Sequence, residues 1–170
     1  MSSLLSKSVD NISKFSGKAV AWLIPLLILE LVYDTAARYI FNAPTAWSYD
    51  ISYMLYGSAF MGGASYPLLL DEHVRIEIIY EKFSPKARAI IDAAGYLLFF
   101  FPSMLSFLYF GTLFTLNSWE LHETSGVSMW SPPIYPFKAI IPITAFLLIL
   151  QGGVQFTRCL ISIAGRGKRS

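Results

Sequence analysis

Residues 19–41 read AVAWLIPLLILELVYDTAARYIF. A bilayer core is about 30 Å thick, and a helix needs about 20 mostly apolar residues to cross it. This stretch has that length. Lys7, Lys14 and Lys18 precede it, as basic residues precede a cleaved leader. Glu30 and Asp34 within the run, and the lack of a small-residue cleavage site before Arg38, predict a retained transmembrane helix instead.

Three further stretches satisfy the same test: 48–70 (SYDISYMLYGSAFMGGASYPLLL), 89–117 (AIIDAAGYLLFFFPSMLSFLYFGTLFTLN) and 134–161. None alternates polar and apolar residues as a barrel strand does, and a helix satisfies its own backbone in lipid. Composition agrees. Of 170 residues, 55% are hydrophobic and only 14% charged, with a mean hydropathy of +0.52. That is too little charge to cover a soluble domain of this size. The sequence therefore predicts an all-α membrane protein, one domain over 1–170, with four transmembrane helices. The net charge of +2 gives no basis for nucleic-acid binding. The single cysteine, Cys159, excludes an internal disulfide framework and a multi-cysteine metal site.

Orientation follows from the 13 Lys and Arg residues. Lys7, Lys14 and Lys18 lie before the first span. Arg75, Lys82, Lys86 and Arg88 lie between the second and third, and Arg158, Arg166, Lys168 and Arg169 at the C-terminal end. Only Arg38 and Lys138 fall on the other side. By the positive-inside rule both termini are cytoplasmic, and the loops near 42–47 and 118–133 face outward. Trp22, Trp47, Trp119 and Trp130 fall near span ends, where interfacial aromatics belong.

The charged stretch 71–89, DEHVRIEIIYEKFSPKARA, lies on the cytoplasmic side by this count. Ile76, Ile79, Tyr80 and Phe83 share one helical face, which predicts a short amphipathic connector in the membrane surface. Ser84 and Pro85 read as N-cap and first residue of a new helix. From Pro85 to Asn117 that helix would be about 50 Å long, with a bend expected at Pro102.

Several residues invite a chemical reading. Glu30, Asp34 and Arg38 are spaced four apart, so they form one stripe in which Asp34 and Arg38 can pair. Glu30 near mid-span reads either as a proton or cation site or as an anchor that pairs with another helix; the anchor reading is preferred. Gly62 lies among Ser58, Ala59, Gly63 and Ser65, which lets a second backbone approach, from this chain or a partner. Trp47 and Asp50 open the second span, with Asp50 read as a helix cap. His73 and His122 lie on opposite faces of the membrane and cannot share a metal. No nucleophile–base pair or phosphate-binding fingerprint accompanies them, so neither an enzyme nor a cofactor is expected. The intramembrane polar inventory is thin: Glu30, Asp34, Asn117, Gln151 and some hydroxyls, with Asp92 near one end. An accessory subunit beside a larger partner fits this better than a solitary transporter. The competing reading is an independent ion or proton conductor that uses Glu30 and Asp34.

An ordered series of motifs runs along the chain: RYIFNAPTAWSYD (38–50), HVRIE (73–77), SP (84–85), SWELHETS (118–125), PPIYPFKAIIP (132–142) and LLILQGG (147–153). The series resembles the small membrane subunit of tripartite ATP-independent periplasmic (TRAP) transporters, the DctQ-like family, and within it the mannitol/chloroaromatic-type branch. Matching positions are Arg38, Phe41, Asn42, Pro44, Trp47, His73, Arg75, Trp119, Glu123, Ser125, Pro136, Lys138, Pro142 and Gln151. Asp50 stands where the family often has Glu, and Glu77 where it often has Asp, with charge kept. The resemblance implies a scaffold subunit in the bacterial inner membrane, in contact with membrane lipids. Its partners would be a large DctM-like membrane subunit and a periplasmic substrate-binding protein. The transporter would import an organic anion or related small solute on a sodium gradient. Expected subunit-interface or structural residues are Glu30, Asp34, Arg38, Trp47, Asp50, Gly62, His73, Arg75, Glu77 and Gln151. Expected docking residues for the binding protein are Trp119, Glu120, Glu123 and Ser125.

Overall fold

The computed structural model of the chain describes residues 2–70 and 83–165. Among them the secondary structure is helical, apart from one antiparallel bridge between Thr124 and Pro133. Helix α1 (Ser2–Ala21) runs into α2 (Leu23–Tyr39). Helix α3 (Ser48–Gly63) runs into α4 (Ser65–Leu69). Helix α5 (Pro85–Gly95) continues through a π-helical turn (Tyr96–Phe100) into α6 (Phe101–Glu120). Helix α7 (Tyr135–Lys138) leads into α8 (Ile140–Ile163).

Each interruption has a proline behind it. A proline lacks an N–H, and its ring presses on the carbonyl four residues earlier. Helix α1 stops at Ala21, four before Pro25; α3 stops at Gly63, four before Pro67; α7 stops at Lys138, four before Pro142. In the long third helix, Leu98 lies four before Pro102 and sits inside the π-helical turn. The bend expected at Pro102 thus takes the form of a widened turn just ahead of it. At the start of α5, Ser84 accepts a hydrogen bond from the Ala87 N–H at 3.3 Å, with Pro85 in the first turn. That is the cap the sequence predicts.

Three helical runs among the described residues are long and apolar enough to cross a bilayer: Ser6–Tyr39 (34 residues), Lys86–Glu120 (35) and Tyr135–Ile163 (29). The expected span 48–70 is not among them: Ser, Tyr and Gly residues and Asp50 dilute its apolar character, and Pro67 divides it at Ala64 into helices of 16 and 5 residues. The N-terminal segment also departs from expectation. It is a 20-residue helix packed on the bundle rather than a tail leading to a span at residue 19. Of the stretch 71–89, in which the amphipathic connector is expected, residues 71–82 lie outside the described residues.

Helices that follow one another across a described loop run antiparallel. Asp34 meets Thr45 while Glu30 meets Ser48 and Ser52, which sets α2 against α3. Phe101 meets Phe156 of α8 and Thr115 meets Lys138 of α7, which sets α6 against α7 and α8. Helix α1 lies against α4 and α3 at Gly17 and Gly62. A Cβ at Gly17 would stand 2.7 Å from the Tyr66 Cβ, and one at Gly62 would stand 2.8 Å from Val20 Cγ2. Small residues at these points let the backbones close up.

The bundle is polar inside and apolar outside. Buried polar or charged residues include Ser13, Glu30, Ser48, Asp50, Ser65, Thr115, Ser118, Gln151 and Gln155, whereas the buried apolar ones are mainly alanines with Leu68 and Tyr96. Large apolar side chains such as Leu29, Phe60, Phe99 and Phe110 point outward. Water would penalise this arrangement; lipid rewards it, because tails solvate Leu and Phe while polar groups must find partners within the protein.

Candidate functional site

Polar side chains gather into three clusters. The first joins α2 to α3. Glu30, 8% exposed, accepts hydrogen bonds from the Ser48 and Ser52 hydroxyls, one on each carboxylate oxygen. One turn further on, Asp34 accepts from Thr45 and pairs with Arg38 at 3.0 Å. Trp47 stacks on Tyr33 at 5.8 Å. Asn42 takes a left-handed backbone (φ 52), and the chain turns back with the Ala43 N–H bonded to the Ala37 carbonyl at 2.9 Å. Short polar residues such as Asn tolerate that conformation best after glycine.

The second cluster lies at the end of the bundle formed by the 121–134 loop. Asp50 is 3% exposed and accepts from Ser125 and Ser128. It does not cap α3: it already lies within the first turn, and no side-chain cap bond is made there. Its carboxylate instead ties the loop down onto the helix. Glu123 accepts from Ser118 at 2.6 Å and forms an ion pair with Lys138, whose ammonium also lies 4.1 Å from the centre of the Phe114 ring. Hydrogen bonding from Lys138, and then from Ser118, holds the Glu123 carboxyl below its ordinary value of 4.5. Trp119 packs edge-on against Tyr135 at 4.9 Å, and Glu120 is exposed. His122 stands beside the same Tyr135 ring at 5.9 Å.

The third cluster, at the opposite end, binds α1 and α4 to α8. Gln151, fully buried, accepts from Ser13 at 2.9 Å and donates to Asp10 at 3.2 Å. Gln155 donates to the carbonyls of Leu68 (3.0 Å) and Leu69 (3.2 Å). Arg158 donates to Gln155 at 3.2 Å and to Asp10 at 2.5 Å. Ser16 and Ser65 share a hydrogen bond of 3.3 Å across α1 and α4. Among the described residues no buried side-chain nitrogen or oxygen lacks a partner.

The structure thus gathers Glu30, Asp34, Arg38 and Trp47 in one hairpin, and Asp50, Glu123 and Ser125 under one loop. Gln151 lies with partners that the sequence reading passed over. Gly62 sits against α1 of the same chain. His73, Arg75 and Glu77 lie outside the described residues. Gln155, Arg158, Asp10 and Ser13 were missed as site residues, although Gln151, Gln155 and Arg158 fall on one face of α8 and could have been noticed by spacing. Among the described residues no group of three or more His, Cys, Asp or Glu is placed to hold a metal.

A sequence model of the family described as tripartite ATP-independent periplasmic transporters, DctQ component, matches residues 27–161. The chain belongs to this family. Comparison with curated proteins gives no match. The DctQ component is a small part of a TRAP transporter rather than an enzyme, and it functions with a DctM component and a substrate-binding protein. The matched residues take in the first two polar clusters, together with Gln151, Gln155 and Arg158 of the third. Helix α1 lies ahead of them.

Proposed function

We propose that this DctQ chain is a scaffold for the large membrane subunit and does not itself carry solute. One observation supports this most. Among the described residues no buried side-chain nitrogen or oxygen lacks a partner, and the central ones are taken up in bonds between helices: Glu30 with Ser48 and Ser52, Gln151 with Ser13, Gln155 with the end of α4. A conducting path needs polar groups that are free to meet a solute. The Glu30 carboxylate is occupied on both oxygens, which favours the anchor over the conductor.

In this reading the chain crosses the bacterial inner membrane four times, with 48–70 as the broken second crossing. Both termini and the 71–89 connector are cytoplasmic, as eleven basic residues against two argue. The connector, through His73, Arg75 and Glu77, contacts the large subunit or fixes the turn. The outer loop helps dock the binding protein: Trp119 and Glu120 offer exposed contacts, while Glu123 and Ser125 hold the loop in shape. Transport is sodium-coupled import of an organic anion or related small solute. These finer points, and the mannitol/chloroaromatic-type branch, rest on the loop motifs and their resemblance.

Uptake with and without the outer-loop clamp tests the docking role. Glu123→Lys should impair uptake at limiting binding protein while the membrane complex still forms. Normal uptake by that variant would remove the loop from the docking surface.

A further inference from the structure

Helix α1 presents three distinct faces. Asp10, Ser13, Ser16 and Gly17 turn inward onto α8 and α4. At 3.6 residues per turn, Lys7, Lys14 and Lys18 form a second, outward stripe. All three are exposed, and none has an ion pair or hydrogen bond among the described residues. Beside them runs a third stripe of Ile12, Phe15, Ala19 and Trp22, with Phe15 76% and Trp22 73% exposed. This apolar stripe does not end with α1. Leu26, Leu29 and Tyr33 continue it along α2, all outward-facing, in the single helical run Ser6–Tyr39.

We infer that α1 is a binding surface for anionic phospholipid headgroups. An exposed apolar face that runs unbroken along α2 and, from Trp22 toward the N-terminus, is flanked by a stripe of exposed lysines follows the profile of one bilayer leaflet. Acyl chains would cover Leu26 and Leu29, the boundary would fall at Trp22 and Phe15, and phosphates would lie beside the lysines. Long lysine stems reach from an apolar surface to the headgroup layer. Basic residues on such a helix attract anionic lipid by about 1 kcal/mol each, roughly fivefold per lysine. The matched family residues begin at 27, so α1 and its lysines precede the region that the family model describes. The Asp10–Arg158 and Ser13–Gln151 bonds hold the inner face to the bundle and so fix which face meets lipid.

The test uses the full chain with Trp47, Trp119 and Trp130 changed to Phe, leaving Trp22 as the only indole. The protein is reconstituted into phosphatidylcholine vesicles in which either phosphatidylglycerol or phosphatidylcholine carries brominated acyl chains at equal mole fraction. Brominated phosphatidylglycerol should quench Trp22 more strongly, reporting at least about a fivefold local enrichment. The preference should shrink at high NaCl, as screening requires. Lys7→Gln, Lys14→Gln and Lys18→Gln together should abolish it, while Lys→Arg at the same three positions should keep it. Equal quenching by the two lipids in the parent, or an unchanged preference in the Gln variant, would overturn the inference. So would a Trp22 that neither lipid quenches, which would mean that a protein covers this face.

Discussion

Gln155 on α8 donates its side-chain amide to the carbonyl of Leu68 at 3.0 Å, and the same nitrogen reaches the next carbonyl, Leu69, at 3.2 Å. These carbonyls belong to the last turn of α4, which ends at Leu69, and the final carbonyls of a helix draw on donors from outside its own ladder. In an apolar setting each unmet acceptor costs about 1–3 kcal/mol. One side chain from another helix thus completes the end of a helix that Pro67 has already shortened. Gln155→Glu keeps the shape and removes the donor, and Gln155→Leu removes all polarity. Both should lower the midpoint of thermal unfolding in detergent, by the equivalent of about 1–3 kcal/mol. An unchanged midpoint in both would mean that the carbonyls find other donors.

Close approach of α1 to α4 gives a second expectation. At Gly17 the obstacle to a side chain is the Tyr66 Cβ, an atom the backbone fixes. Gly17→Ala should therefore push the helices apart and cost about 1–3 kcal/mol, as overpacking does. Gly63 has open space around it, so Gly63→Ala should be tolerated. Equal midpoints for the two variants would contradict the packing described for α1.

The outer loop carries a pH dependence whose sign is fixed. The Glu123 carboxyl is held below its ordinary value of 4.5 by the Lys138 ammonium and the Ser118 hydroxyl. A depressed folded-state value means that the clamp contributes above 4.5 and is lost as pH falls through the lower, folded value. Hydrogen exchange in residues 118–138 should stay flat from neutral pH down toward 5, after correction for intrinsic rates, and rise on further acidification. Glu123→Gln should exchange faster at neutral pH and lose that acid step. A step retained in Glu123→Gln would assign the titration to another group.

Glu30 provides the sharpest contrast between anchor and conductor. Glu30→Gln keeps an oxygen acceptor for one serine and removes the titratable proton. On the anchor account, yield of the membrane complex should fall only slightly and uptake should follow that yield, with a stability change of about 1 kcal/mol. Uptake abolished with complex yield intact would point instead to a transported or relayed proton at this position.

Much of this was legible in the residues, and what was missed has physical causes. The apolar runs 19–41, 89–117 and 134–161 announced helices because lipid-facing surfaces need unbroken apolar length. Ser84–Pro85 gave a helix start through local chemistry that does not depend on packing. Pro102 signalled a disturbance, and by the same steric rule Pro25, Pro67 and Pro142 mark the other breaks four residues upstream. Helix α1 escaped because its packing face is Asp10, Ser13, Ser16 and Gly17. A hydropathy reading sees a polar tail there, although small and hydroxylated residues are what a membrane bundle buries. Asp50 was misread because an acid beside a helix start suggests a cap, and nothing local reveals that Ser125 and Ser128 lie above it.

Reconstitution addresses the central claim, that this chain assembles a transporter without conducting solute. The purified chain alone in sodium-loaded and potassium-loaded liposomes should move neither ions nor solute. Adding the DctM-type subunit and the substrate-binding protein should restore uptake, and tagged chain should retain the large subunit through purification. Ion or solute flux by the chain alone, abolished by Glu30→Gln, would contradict the account.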